Sequence, residues 1–386
     1  MSVTSAAVAP IAARPRVALL TQVDFWLPGA GHRSRIATLV TALSRHVQLT
    51  VVWPTALDMQ ARLALSTHWR DVQVQALNLP LRGSTHHARA VLRAFFDACP
   101  QHACIFEYLS LGWLRRAVPP GVMTLVDTHD VVSLRDTELV ALPQPLDRAV
   151  LSPAQEAAQL RTFDRVIAIS QPDAAVFTGW VGAERVLLVP HPQVLRARPL
   201  RTVVRHLLFV GSSYAPNVDG LSWLLREVWP RLAARGLVLD VVGGVGPALR
   251  QAAESSAVQS TACSSAAGVR IHGVVADLEV FYDAADLVLN PVRHGSGLKI
   301  KSVEALSRGL PLVSTPHGVR GLENTEVAAD PAYWVADTAE AFEAAVTALV
   351  ADHTLRQRTS RAALRLAQRE FSEQVCLAPL LAALGV

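Results

Sequence analysis

A short, continuously apolar segment followed by a helical one recurs along the whole chain, and that alternation restricts the possible folds more than any other feature. In the first half, Arg16–Thr21, Val47–Val52, Val72–Leu77, Ala103–Glu107, Val122–Asp127, Val166–Ile169 and Val186–Val189 read as strands. Helical segments lie between them: from the loop Pro28-Gly29-Ala30-Gly31 through Leu43, over Ala88–Ala98, and over Ser152–Phe163. The last opens with Ser152 three residues before Gln155 and with Pro153 at the first helical position, the pattern of a capping box. Strands without hydrophobic–polar alternation are buried on both faces. The segments therefore specify an α/β fold with a parallel sheet covered by helices on either side.

The pattern then stops and restarts. Pro190-His191-Pro192 and the stretch to Arg205 show no periodicity and read as a linker between domains. His206–Val210, Leu237–Val242, Val269–Ile271, Leu287–Asn290 and Leu312–Ser314 form a second strand series. Its helices are expected over Asn217–Ala234, Asp277–Tyr282, Leu298–Arg308, Ala339–Leu349 and Leu355–Glu370, with one more beyond. A chain of 386 residues exceeds one ordinary core. The expected plan is a disordered tail at 1–15, a domain at 16–195, a linker at 196–205 and a second domain at 206–370. A C-terminal helix at 371–386 would pack back on the first domain. Ligands of such sheets sit beyond the carboxyl ends of the strands, so two facing domains build a cleft.

Composition closes off other classes. With 51% hydrophobic and 18% charged residues the chain is a packed protein rather than a disordered one. No apolar run approaches the roughly 18–20 residues of a membrane span; the candidate Val375–Val386 is short and interrupted by Pro379. Residues 1–15 lack the basic start and cleavage pattern of a signal peptide, so a cytoplasmic location is expected. A net charge of +4 is too weak for a nucleic-acid partner and compatible with peripheral contact at the inner membrane surface. Cys99, Cys104, Cys263 and Cys376 form no C-x-x-C pair and read as free thiols. His86-His87 have no carboxylate at ligand spacing, and no Asp-x-Asp occurs, so no metal is expected. The helix around Arg89, Arg93, Phe95 and Phe96 reads as an amphipathic surface helix, with docking on a membrane or acceptor as the rival reading.

The chain has only two lysines, Lys299 and Lys301, and both fall in Gly295-Ser296-Gly297-Leu298-Lys299-Ile300-Lys301-Ser302-Val303-Glu304-Ala305. Glycines let backbone approach a ligand, and Ile300, Val303 and Leu306 are spaced as a helix. Free N–H groups and the positive dipole end of a helix start attract phosphate. Cations in that first turn oppose the dipole unless an anion neutralises them. The segment reads as a diphosphate site; the competing reading is a surface ion pair between Lys301 and Glu304, spaced i,i+3.

Further motifs run in order through the second half: Leu208-Phe209-Val210-Gly211-Ser212, Tyr214-Ala215-Pro216-Asn217-Val218, Leu239-Asp240-Val241-Val242-Gly243, His272-Gly273-Val274-Val275, Ala284-Ala285-Asp286-Leu287-Val288-Leu289-Asn290-Pro291, Gly309-Leu310-Pro311-Leu312-Val313-Ser314-Thr315 and Gly318–Gly321. Together with the lysine segment they resemble the C-terminal domain of family 4 retaining glycosyltransferases, whose GT-B architecture pairs two Rossmann-like domains. Val126-Asp127-Thr128-His129-Asp130-Val131, Ser152–Glu156, Phe163–Ser170 and Val189-Pro190-His191 resemble the N-terminal domain of that family more weakly.

The resemblance implies a metal-independent enzyme without a cofactor. It would move a sugar from a UDP- or GDP-sugar donor to the hydroxyl of a glycan, glycolipid or other acceptor, with retention, in bacterial surface glycan synthesis. It assigns Glu304 to the nucleotide ribose hydroxyls, as the second carboxylate of a Glu-x7-Glu motif. Lys301 would neutralise the departing diphosphate, with Lys299 or Arg293 as helpers. His129 would face the donor sugar. Gly31 and His32 would form the N-terminal loop against the donor, and Gly211, Ser212, Asn217, Gly295, Ser296, Gly297 and Leu298 would complete the donor site. Two departures stand out. Ser296 occupies the position of the first glutamate, and Ser212-Ser213-Tyr214 with Asn217 replaces the usual phosphate-gripping Arg and Lys. A nucleotide-sugar epimerase of the same fold, or a non-catalytic sugar-nucleotide-binding partner of a glycan assembly complex, fits the same motifs.

Overall fold

A computed structural model describes residues 14–79, 85–140, 150–255, 267–322 and 330–386. Most of the 1–15 tail and Cys263 lie outside the described residues. The first domain is a seven-stranded sheet of β1 (Arg16–Leu20), β2 (Gln48–Trp53), β3 (Gln73–Ala76), β4 (Ala103–Glu107), β5 (Met123–Asp127), β6 (Arg165–Ala168) and β7 (Val186–Leu188). Every pairing is parallel and the order is β3-β2-β1-β4-β5-β6-β7. The second domain is a six-stranded sheet of β8 (His206–Val210), β9 (Val238–Val242), β10 (Val269–Gly273), β11 (Leu287–Asn290), β12 (Leu312–Ser314) and β13 (Trp334–Val335). It is also parallel throughout, in the order β10-β9-β8-β11-β12-β13.

The inner strands carry apolar runs because both faces of each sheet are buried, while the edge strands β3 and β10 alternate exposed and half-buried positions. Along β1, Val17 and Leu19 join one core, while Ala18 and Leu20 join the core on the opposite face. In β8, Leu207 and Phe209 point one way and Leu208 the other. Helices supply the covering layers. The helix Gly31–Leu43 buries Ile36, Leu39, Val40 and Leu43, an i, i+3, i+4, i+7 stripe. The expected capping box holds: Ser152 Oγ accepts from the Gln155 N–H, and Gln155 Oε1 accepts from the Ser152 N–H.

Where the chain departs from the sequence expectation, the causes are local. The helix expected over Asn217–Ala234 is interrupted. It runs as α-helix over Ala215–Trp223, widens into a π-turn at Leu224–Val228 and resumes over Trp229–Ala233. Pro230 has no N–H to donate backwards, and the wider turn accommodates its ring. Among the described residues four α-helices lie outside the sequence expectation, one of them Val245–Ser255 after β9. Met59–His68 is capped by Asp58 but buries only Ala61 and Leu65, too little to show as periodicity. Gln171–Val181 starts at a Ser170 cap. Val132–Val140 has its first N–H groups capped by the buried carboxylate of Glu156, at 2.8 Å from Val132 and 2.7 Å from Ser133. That cap lies more than twenty residues away and leaves no local signature. The amphipathic helix at Thr85–Ala98 buries Phe95 and Phe96 in the core, and Arg89 donates to the Trp113 carbonyl. Its aromatic residues are thus not available for docking.

The two domains are joined by segments of chain that cross side by side. The N–H of Gln193, on the way out of the first domain, donates to the Phe371 carbonyl at 2.7 Å, and Gln193 bridges to Ser372 on the way back. The last helix, Glu373–Leu384, then sets Leu377, Leu380 and Leu384 into the first-domain core beside Val17 and Leu19. Among the described residues no helix is long and apolar enough to cross a membrane.

Candidate active site

In both sheets the strand order reverses between two central strands, at β1/β4 in the first and at β8/β11 in the second. Loops leaving such neighbours diverge to opposite faces and open a crevice at the strand ends. Here the two crevices face each other across one cleft of about 1070 Å³. Its lining takes Phe25–His32 after β1 and Tyr108 after β4, with Gly211, Ser212 and Tyr214 after β8 and His294 and Ser296 after β11. His129 and Asp130, which follow β5, complete the first-domain side.

The helix Ile300–Ser307 anchors the second-domain wall. Val303 and Leu306 hold its back in the core shared with the helix His353–Phe371, which turns Lys301 and Glu304 to the cleft. Lys301 Nζ donates to Asn217 Oδ1 at 2.6 Å and stands 4.8 Å from the Phe209 ring centroid. Among the described residues no direct ion pair joins it to Glu304, so the surface-pair reading fails. Burial, then the charge of Lys299, pushes the Lys301 ammonium down to about 7, while Glu304 pulls it partly back. An ammonium held this way gains strongly from an arriving anion. Asn217 fixes the geometry from the other side, its Nδ2 donating to Ser212 O and Oγ, both at 3.1 Å. Glu304 Oε2 accepts from the buried Tyr282 hydroxyl at 2.7 Å, and burial raises this carboxyl above the usual range. Its other oxygen makes no hydrogen bond within the described residues. Arg308 stacks on Tyr282 with 4.2 Å to the ring centroid, pairs with Glu279 and donates to the Glu304 carbonyl at 2.8 Å.

Three residues expected at the donor have polar groups engaged within the protein. Lys299 turns its ammonium back into its own loop, donating to the carbonyls of Gly295, Ser296 and Gly297 at 2.8, 2.8 and 3.0 Å. It builds the loop rather than offering a free cation. Arg293 makes a bidentate pair with Asp219 at 2.9 and 3.1 Å, stacks over Trp223, and does not line the cleft. Gly295 likewise lies outside the lining, with its N–H given to Glu138 Oε2 of the first domain at 2.8 Å. Glu138 also pairs with Arg320 at 2.8 Å, so one first-domain carboxylate ties two second-domain segments. Gly297, at φ +73°, is required by the same closeness: a Cβ there would stand 3.1 Å from Asp130 Cβ and 3.2 Å from the His129 carbonyl. Gly211, Ser212, Asn217, Ser296, Gly297, Leu298, Lys299, Lys301 and Glu304 do come together in the cleft.

Across from them stand Gly31, His32 and His129. Gly31 opens its helix with no side-chain cap and packs on Ile300, so its N–H groups sit at the cleft. Burial and the neighbouring His129 lower the basicity of His32. His129 is held in a left-handed conformation, φ +62°, by contacts no sequence motif announces. Its Nε2 lies 2.7 Å from Glu107 Oε2, and its ring stacks on Tyr108 at 4.0 Å and 8°. Beneath this pair Arg35 and Asp127 form a buried bidentate ion pair at 2.8 and 3.0 Å, with Arg35 also donating to the Val189 carbonyl at 3.1 Å. Possible ligand atoms of Glu107, Asp127 and His129 lie within 4.8 Å of one another, yet both Asp127 oxygens are committed to Arg35, and the set does not fit a metal ion. On the linker, His191 is fully buried with neither ring nitrogen bonded among the described residues, and burial followed by the Arg35 charge pushes it down to about 3. His86 and His87 are exposed at the start of their helix.

Two facing parallel-sheet domains with this cleft define the GT-B architecture, and residues 204–352 match the family described as Glycosyl transferases group 1. The chain therefore carries a glycosyltransferase domain, the domain of an enzymatic transferase. Among solved structures it is similar to sucrose-phosphate synthase from Thermosynechococcus elongatus, with 18% identity, 96% of this chain and 98% of that one covered, and a TM-score of 0.73. It is also similar to Anabaena HepE in complex with UDP and glucose, with 15% identity, 96% and 99% coverage and a TM-score of 0.68. A point mutant of S. aureus TarM, in complex with fondaparinux, α-GlcNAc-glycerol and UDP, aligns at 6% identity over 96% and 100% with a TM-score of 0.72. A curated relative, an uncharacterised 44.6 kDa protein in the cps region of Klebsiella pneumoniae, is 24% identical over 163 residues. That stretch covers 42% of this chain and 41% of the relative.

Proposed function

We propose that the chain is a retaining, metal-independent glycosyltransferase of the family 4 type. It transfers a sugar from a nucleoside diphosphate donor, UDP or GDP, to an acceptor hydroxyl in surface glycan or glycolipid synthesis at the cytoplasmic side of the membrane. One observation carries the reading. The part-buried ammonium of Lys301 and the open carboxylate oxygen of Glu304 stand one helical turn apart on the cleft wall. A diphosphate at the helix start would meet Lys301 and the free N–H groups, and ribose hydroxyls would donate to Glu304. The nucleotide-bound relatives and the capsule-region relative support the reading.

In this reading catalysis comes from positioning and charge. Closure of the two domains excludes water, and Lys301 stabilises the charge that develops on the leaving diphosphate. Gly211, Ser212 and Asn217 shape the nucleotide side, Gly31 and His32 the opposite side, and His129 meets the donor sugar. Product analysis tests this: the protein is incubated with UDP- and GDP-sugars, with and without glycan acceptors. A glycosylated acceptor supports transfer, an isomerised donor would identify an epimerase, and bound but unchanged donor would identify a non-catalytic binding protein.

A further inference from the structure

The buried carboxylate of Glu107 has no place in the motifs, and its surroundings give it one. It is fully buried, one oxygen 2.7 Å from His129 Nε2 and the other without a partner. The ring it touches cannot turn away. Tyr108 lies flat against it, and both Tyr108 (φ +74°) and His129 (φ +62°) sit in left-handed conformations that only surrounding packing sustains in non-glycine residues. Nδ1, the ring's other nitrogen, makes no hydrogen bond within the described residues, and His129 lines the cleft.

We propose that Glu107 is a positioning residue. It holds the proton of His129 on Nε2, so that Nδ1 presents a lone pair to the cleft and accepts a hydrogen bond from a hydroxyl of the bound sugar. This rests on the reading of His129 as the sugar-facing residue. An ionised carboxylate can only accept a hydrogen bond, so it selects the Nε2–H tautomer and leaves Nδ1 of the neutral ring unprotonated. The groups facing the pair are Asp127 and Arg35 beneath it, Tyr108 on the ring, His32 from the helix Gly31–Leu43, Asp130 and Arg135 from the loop and helix that follow, and His191 from the linker. Burial and Asp127 raise Glu107, while His129 and Arg35 draw it back. Adding one proton to the pair would convert Nδ1 from acceptor to donor, a change that sugar transfer should register.

The substitution Glu107→Gln tests this, because an amide of the same shape can donate to Nε2 as well as accept from it and so no longer holds the proton there. Nitrogen NMR of histidine-labelled protein at pH 8 should show His129 protonated on Nε2 in the wild type and shifted toward Nδ1 in Glu107→Gln. The shifted tautomer should lower kcat/KM for the sugar nucleotide on the order of 100-fold, while the Kd for the bare nucleoside diphosphate changes less than about twofold. Glu107→Asp, which keeps a carboxylate, should keep the wild-type tautomer and serves if the amide variant does not fold. A wild-type His129 protonated on Nδ1 at pH 8 overturns the proposal. So does a Glu107→Gln enzyme with a shifted tautomer and unchanged kcat/KM. If the wild type transfers no sugar at all, the functional reading fails, and the tautomer measurement alone then decides what Glu107 does.

Discussion

The two walls of the cleft are built in different ways. The second-domain wall carries Lys301 and Glu304 on one short stretch, Gly295–Glu304, in which loop, helix start, ammonium and carboxylate follow one another, while Gly211, Ser212, Asn217 and Val274–Ala276 line the rest. The first-domain wall is assembled from Arg35, Glu107-Tyr108, Asp127–Asp130, Glu156 and His191, on separate segments, with bonds such as Arg35 to Asp127 spanning 92 positions. One wall is a motif, and the other is a buried polar network. A motif wall can lose one side chain and keep its fold, because Lys301 and Glu304 sit on one helix whose packing rests on Val303 and Leu306 instead. The network wall cannot, because each member satisfies another that would otherwise be buried unpaired.

The largest expected effect follows from that contrast. Arg35→Ala leaves the Asp127 carboxylate buried without its partner and should destabilise the protein by about 3–5 kcal/mol, read from denaturant unfolding. Lys301→Ala should leave the unfolding midpoint nearly unchanged and weaken nucleoside diphosphate binding by about 2–3 kcal/mol, read by calorimetry. A comparable loss of stability in both variants would erase the distinction between the walls.

A third expectation concerns protons. The free Lys301 ammonium titrates near 7, well below the ordinary lysine value of 10.5. It is therefore largely neutral in the free protein between those two values. A bound diphosphate raises it again, so binding should take up a proton in that window, and affinity should fall as pH rises through 7 and above. Calorimetry in two buffers of different ionisation enthalpy reads this uptake; its absence would remove Lys301 from the anion site. Glu138→Ala cuts the tie from the first domain to Gly295 and Arg320 and should cost about 1 kcal/mol or less of stability, because the pair is part exposed. Arg293→Ala should change nucleotide affinity less than about twofold, since the guanidinium is already committed to Asp219.

How far the sequence could be read divides along the same line. Strand positions were legible because continuous apolar runs mean burial on both faces, and each restart of the pattern marked a new domain. The Ser152 box was legible because a cap is a local event. The cleft position of Lys301 and Glu304 was legible because their spacing, glycines and helix lie within a few residues. Lys299 and Arg293 were expected as free cations for the same reason, and both have partners within the protein. Sequence shows that a cation is near the site, not that three loop carbonyls or Asp219 have already taken it. Glu107, Tyr108 and Arg35 carried no signal, because a carboxylate at the end of an apolar strand looks like any strand terminus. The one available hint was that β4 and β5 both end on acids, Glu107 and Asp127, side by side in the sheet. The helix Val132–Val140 was invisible for a related reason, its cap arriving from Glu156 on another helix.

The most direct measurement of the central claim is calorimetric titration of a panel of nucleoside diphosphates and nucleotide sugars into the wild type and Lys301→Ala. Micromolar binding of one nucleotide by the wild type, lost in a variant with an unchanged unfolding midpoint, is the predicted result. No binding by folded wild type would contradict the account, and so would equal affinity in the two proteins.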